Sequence, residues 1–267
     1  NVFVISIKWS WFYGVSIVNE KKLTVMDFTG IYELESFYKH KNINWIDCLD
    51  IKGTRGYCSE EAKAKIIKRI GDYLPAGIHF IDSGNFHYVS EFWIRKINYD
   101  FILIVFDHHS DMIKPMFGDI LSCGSWILNA LKNNQYLKQI ILIGIAQEQV
   151  DLIDPKYRER VIYLCDNDLG DLKVWKIIDE LLKQYPVYFS IDKDVLSEQV
   201  VTTDWQQGQM RLIEFKLILA DLIKRGDVIG IDICGECCNE VAMLSEIKND
   251  DSLNAQILEF LKCELVK

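Results

Sequence analysis

The chain has 267 residues, of which 49% are hydrophobic and 26% charged, with a formal net charge of −9. That balance indicates a globular protein with a sizeable core and excludes a disordered chain. The acidic excess shows no basic stripe, which argues against nucleic acid as a partner, and no uncharged run approaches the roughly 20 residues of a membrane helix.

With no internal repeat or linker in view, the length predicts one domain over residues 1–267. The eight cysteines are scattered without the spacing of a disulfide framework. Reduced thiols in a cytoplasmic setting are therefore expected. Cys234 and Cys237 form a C-x-x-C, but no second pair stands at zinc-ribbon spacing, so no structural zinc is expected there.

In chain order, apolar runs predict strands at residues 2–7, 14–18 and 23–26. Trp9, Trp11 and Tyr13 read as packing between the first two. Residues 27–58 give no clear element beyond a loop at 53–56. Ser59 then makes a good helix N-cap, with Glu60 and Glu61 in the first turn and Ala62, Ile66, Ile67 and Ile70 continuing an apolar face. A strand at 77–82 runs into the glycine turn Ser83-Gly84-Asn85-Phe86-His87 and a helix-like segment at 88–97. Residues 101–106 (FILIVF) carry no charge and predict a strand buried on both faces. Beyond it come a helix at 125–131, strands at 139–145 and 161–164, a helix at 171–184 and a strand at 186–191. A helix at 211–225 stopped by Gly226, a strand at 228–233 and a helix at 252–265 follow. Strands alternating with helices predict a three-layer α/β/α fold around a mainly parallel sheet.

The chemistry gathers at strand ends. Asp107, His109 and Asp111 follow the most apolar strand as D-x-H-x-D. In extended backbone alternate residues point the same way, so these three converge just past the strand's carboxyl end, where open parallel sheets bind ligands. Carboxylates and an imidazole that close repel or titrate unless a cation holds them. His87 and the pair Asp192 and Asp194 occupy two further strand ends. Singly, these read as an ordinary histidine and a capped turn; together they point to a metal centre. Four carboxylates and two imidazoles suit Mn²⁺ by ligand type, and Zn²⁺ or Fe²⁺ also fit. His108 should face the opposite way, into packing.

Order and spacing here resemble the ureohydrolase family of arginases, agmatinases and formimidoylglutamases, over about residues 77–240. Gly84-Asn-Phe-His87, Asp107-His-His-Ser-Asp111 and Ser190-Ile-Asp192-Lys-Asp194 match its glycine-turn histidine, D-x-H-x-D and S-F-D-x-D. The resemblance implies an arginase-like fold and two metal ions. One would be held by His87, Asp107, Asp111 and Asp192, the other by His109, Asp107, Asp192 and Asp194. It also implies hydrolysis of a guanidino or amidino C–N bond by metal-held hydroxide, with Asp111 taking or relaying the proton. Glu236 would orient the cationic group, although it stands one residue beyond the family's glutamate position, where this chain has Gly235. No histidine follows His109 to match the arginase proton shuttle, which leaves Cys123 or Ser122 as the nearest polar substitute. The loops that read free arginine's amino and carboxylate ends have no clear counterpart. The substrate class stays open between a small guanidino molecule and a peptidyl arginine; a homo-oligomer also stays open. Two alternatives stand beside this reading: a single-metal amide deacetylase, and a non-catalytic metal-binding homologue.

Overall fold

Alternation along one strand divides the molecule into its layers. In β5 (Phe101–Phe106), Phe101, Leu103 and Val105 pack into one buried cluster, and Ile102, Ile104 and Phe106 into a second. Successive side chains of a strand face opposite ways, so a strand apolar throughout must be covered on both sides. The computed structural model describes residues 23–115, 118–238 and 244–266; the strands expected at 2–7 and 14–18 lie outside them. Helices α1 (Glu60–Arg69), α2 (Val89–Ile94) and α3 (Trp126–Asn133) cover the first face. Helices α5 (Leu172–Gln184), α6 (Leu212–Arg225) and α7 (Leu244–Leu265) cover the second. A four-residue helix, α4 (Gln147–Val150), lies between the two sets in sequence.

The remaining main strands are β1 (Leu23–Asp27), β2 (Ile43–Asp47), β4 (Ile78–Phe80), β7 (Leu137–Ile145), β8 (Val161–Cys165), β9 (Val187–Asp192) and β10 (Val228–Cys234). With β5 they form an eight-stranded sheet in the order β2-β1-β4-β10-β9-β5-β7-β8, parallel at every pairing. The expected α/β/α fold is what forms. The chain passes from β4 to β5 by skipping the positions that β10 and β9 later fill, and ligands bind at such crossover points. A separate antiparallel pair, β3 (Tyr57–Cys58) with β6 (Leu121–Ser122), joins two loops above the sheet.

Ser59 caps α1 as expected, its side chain accepting from the Ala62 amide. Gly226 ends α6 for another reason than a left-handed turn. Its φ is −99°, and an added Cβ would lie 2.9 Å from Val187 Cγ1: the chain turns too close to β9 for a side chain. Helix α7 starts eight residues before the expected boundary, at Leu244.

Candidate metal centre

Each candidate ligand is placed by a specific local device. After β4 the chain turns at Asp82 (φ 60°), whose carboxylate accepts from the Phe28, Thr29 and Ser83 amides. Ser83 then caps the short 3-10 turn Gly84–Phe86, which delivers His87. Only glycine fits at 84, since a Cβ there would stand 2.7 Å from Asp192 Oδ2. At the end of β5, the His109 amide donates to Asp107 Oδ1 (2.6 Å) and the His108 amide to Asp194 Oδ1 (3.0 Å). Asp111 adopts φ 48°, a left-handed conformation uncommon outside glycine. The Asp194 amide in turn donates to Asp192 Oδ1 (3.0 Å). The ends of β5 and β9 are thus tied to each other.

These devices bring the six side chains into one buried group. His87 Nδ1 lies 3.0 Å from Asp111 Oδ2, 3.2 Å from Asp107 Oδ2 and 3.5 Å from Asp192 Oδ2. His109 Nδ1 lies 2.9 Å from Asp194 Oδ2 and 3.5 Å from Asp107 Oδ1. Three sets of donor atoms have the spacing to hold an ion: His87 with Asp107 and Asp111, Asp107 with His109 and Asp194, and His87 with Asp192 and Cys234. Asp107 belongs to two of them through its two oxygens. All six line a cavity of about 420 Å³, with Cys123 on the same wall. His108 is buried and does not line it.

The electrostatics ask for added positive charge. Burial, then Asp194 and Asp107, push the Asp192 carboxyl up to about 7; burial and Asp107 push Asp194 to about 6. Burial alone would lower His109, yet Asp107 and Asp194 hold it up at about 11. His87 is likewise raised well above its ordinary value, its neighbours Cys234, Asp107 and Asp111 outweighing burial. Among the described residues no lysine or arginine pairs with these four carboxylates. Most telling, His87 Nδ1 is buried and has no hydrogen-bond partner, although three carboxylates stand near it. His109 Nδ1 is hydrogen-bonded to Asp194 Oδ2, but around His87 a nitrogen and three carboxylate oxygens at 3.0–3.5 Å without hydrogen-bond alignment are the arrangement that a divalent cation fits.

A supporting layer escaped the sequence reading. His87 Nε2 meets Ser190 Oγ at 2.9 Å, and Ser190 donates to Asp232 Oδ1 at 2.6 Å, where Ser90 also donates. Such a hydroxyl–carboxylate chain fixes which nitrogen faces inward. Trp126 Nε1 donates to Asp111 Oδ2 at 2.5 Å. Ser190 was findable, because it precedes Asp192 by two on a strand and so shares its face; Trp126 left no such signal.

Two other expectations fare differently. Cys123 does line the cavity, but burial pushes its thiol up to about 12. With no cation at the site it is a protonated thiol at neutral pH and a poor base. Glu236 requires correction: it is absent from the cavity wall and sits buried behind it. Its Oε2 pairs with Lys193 Nζ (2.7 Å) and its Oε1 accepts from Asn254 (2.9 Å). The cause is Gly235, at φ 103°, where a Cβ would come within 2.6 Å of Asp192 Oδ1. No side chain fits at that position, and the next residue is carried past the cavity. Among the described residues the wall holds no carboxylate apart from the candidate ligands; Arg55 and Lys114, both exposed, stand at the mouth with Tyr57 and Trp205.

Carboxylates and imidazoles converging at the carboxyl ends of the central strands of a parallel α/β/α sheet define a protein of the ureohydrolase type. The arginase family model matches residues 27–240, and the chain belongs to the arginase family. It is 35% identical over 214 residues to an uncharacterized protein of Thermotoga maritima, covering 79% of this chain and 78% of that one. Its fold matches the agmatine ureohydrolase of Thermoplasma volcanium (TM-score 0.63, 18% identity, 94% of this chain and 93% of that one). It also matches a Trypanosoma cruzi formiminoglutamase crystallised with Mn²⁺ (TM-score 0.63, 12% identity, 91% and 93%).

Proposed function

We propose that this chain is a hydrolase using two divalent metal ions to cleave a C–N bond at a guanidino or amidino carbon. His87, Asp107, Asp111 and Asp192 would hold one ion, and His109, Asp107, Asp192 and Asp194 the other, with Mn²⁺ the metal their hard oxygens and imidazoles favour. The observation that carries this reading is the buried, unpartnered His87 Nδ1 facing three carboxylates. Family membership and the Mn²⁺ of the formiminoglutamase support it. When bound, such ions polarise the scissile group and lower the pKa of a water enough for attack at neutral pH.

The chain's own residues supply the rest. Ser190 and Asp232 hold the His87 ring, and Trp126 holds Asp111 by one oxygen. Asp111 takes the proton released during attack, since Cys123 retains its own. Arg55 and Lys114 at the mouth suit a substrate whose far end is anionic, whether a guanidino acid or an arginine beside acidic residues in a peptide. The free state of the cysteines is in keeping with a cytoplasmic setting.

One observation favours a second reading, hydrolysis of an uncharged amide: among the described residues no carboxylate beyond the ligand set lines the wall to grip a cation. A panel of agmatine, arginine, guanidino acids, arginyl peptides and acetylated amines separates the two. Urea release from the guanidino members is the expected result, and acetate release alone overturns it. Asp192→Asn is expected to lower metal content and turnover together, each by more than about 100-fold, beyond what loss of an outer partner costs. Full metal retention without any turnover would leave a binding protein.

A further inference from the structure

The third set of donor atoms contains a cysteine that the binuclear ligand set does not use. Cys234 is the last residue of β10 and is fully buried. It stands directly opposite Asp192 in the parallel pairing of β10 with β9. Its Sγ is 3.2 Å from Asp192 Oδ2, and Sγ, that carboxylate and the His87 ring nitrogen all lie within 4.8 Å of one another. It also shares a strand face with Asp232, two residues earlier, whose carboxylate supports His87 through Ser190.

We infer that Cys234 is a thiolate ligand of the metal position built on His87 and Asp192, so that this position takes a more thiophilic ion than the Mn²⁺ its oxygen and imidazole donors alone favour. This rests on the binuclear reading and deepens it. Three features carry it. The His87 Nδ1 aimed into the same spot is buried and unpartnered, so the cysteine is not a solitary thiol. Cys234 Sγ donates a hydrogen bond to Asp192 Oδ2 at 3.2 Å, and His87 Nδ1 lies 3.5 Å from the same oxygen. A thiophilic ion entering between them needs only that the thiol give up its proton and draw back by a few tenths of an ångström to reach the separations of about 3.4–3.6 Å set by tetrahedral zinc. The neighbouring Gly235, with φ 103°, lets the chain turn away at once, so the thiol stays pressed against Asp192. On binding, a sulfur–metal bond forms, the S–H bond breaks, and the proton passes to the buffer. A sulfur donor shifts preference from Mn²⁺ toward Zn²⁺, Co²⁺ or Fe²⁺.

The experiment strips the full-length protein of metal, reloads it with Co²⁺, and reads stoichiometry and absorption. The expected result is a near-ultraviolet thiolate-to-cobalt charge-transfer band in the parent, kept by Cys123→Ser and lost by Cys234→Ser. Zn²⁺ affinity should fall by at least about tenfold in Cys234→Ser while Mn²⁺ affinity changes less. Two bound Co²⁺ without the band would overturn the inference and leave the binuclear reading standing, the thiol then being a hydrogen-bond donor to Asp192. A band that follows Cys123 overturns it equally. Failure to bind Co²⁺, Zn²⁺ or Mn²⁺ removes both. Should Cys234→Ser fail to fold, the parent and Cys123→Ser spectra decide: no band in the parent, or a band lost in Cys123→Ser, overturns the inference.

Discussion

Asp192-Lys193-Asp194 divides two buried charge clusters that were given opposite solutions. On one side Asp192 and Asp194 face His87, His109, Asp107 and Asp111, with no fixed cation among them. On the other, Lys193 spends its three protons on Glu236 (2.7 Å), Asp250 (2.6 Å) and Asn254 (3.3 Å), and Asn254 donates to Glu35 and Glu236. The second cluster is closed: its lysine is satisfied, and Lys193, Glu236, Asp250 and Asn254 are all buried. The first is left short of positive charge and opens to a cavity. A buried carboxylate group that already has its lysine is architecture; one without is where a ligand cation belongs.

That contrast can be broken from either side. The largest effect is expected from Lys193→Met, which leaves Glu236 and Asp250 buried without a partner. A loss of about 3–5 kcal/mol is expected, read by denaturant unfolding of the metal-free protein; a loss below about 1 kcal/mol would show that the closed cluster does not depend on its lysine. Next is Ser190→Ala, which cuts His87 from Asp232. Metal affinity should fall by about 10–100-fold with a smaller change in stability, measured by titration calorimetry. Unchanged affinity would remove Ser190 from the support of the site.

A further effect concerns pH. Burial, then Glu236, raise the Glu35 carboxyl from 4.5 to about 10, and its Oε1 has no hydrogen-bond partner. Between those values the folded chain holds a proton that the unfolded chain has released. Stability from this group is therefore fully present below about pH 4.5 and declines as pH rises toward 10. Glu35→Gln should flatten that decline, gaining on the parent more at pH 9 than at pH 5 in thermal unfolding. Parallel curves would place the titration elsewhere.

The sequence made the carboxyl end of the central strands readable where one period ruled. FILIVF followed by D-x-H-x-D leaves few alternatives, and Asp107, His109 and Asp111 do converge; past Phe106, however, the backbone turns instead of staying extended, with Asp111 at φ 48°. Where two requirements overlapped, legibility failed. β2 reads Ile-Asn-Trp-Ile-Asp, and as an edge strand it is only partly covered, so its apolar signal is diluted. Helix α7 buries Ile247, Asp250, Leu253, Asn254, Ile257 and Leu261, a regular helical face. Two of those positions are polar because they answer Lys193, and an apolar search therefore starts the helix late. The misplacement of Glu236 has the same character: the close approach of Gly235 to Asp192 is a fact of three dimensions that spacing cannot report.

The small β3–β6 ribbon carries one last consequence. Tyr57 pairs with Ser122, the Cys123 amide donates to the Gly56 carbonyl, and the Gly56 amide donates to Asn85. Three loops from distant parts of the chain are stitched into one rigid collar, and Arg55 rides on it. Widening the entrance to admit a bulkier molecule thus cannot be done loop by loop; a change at Gly56, which needs its φ of 71°, would unfasten all three together.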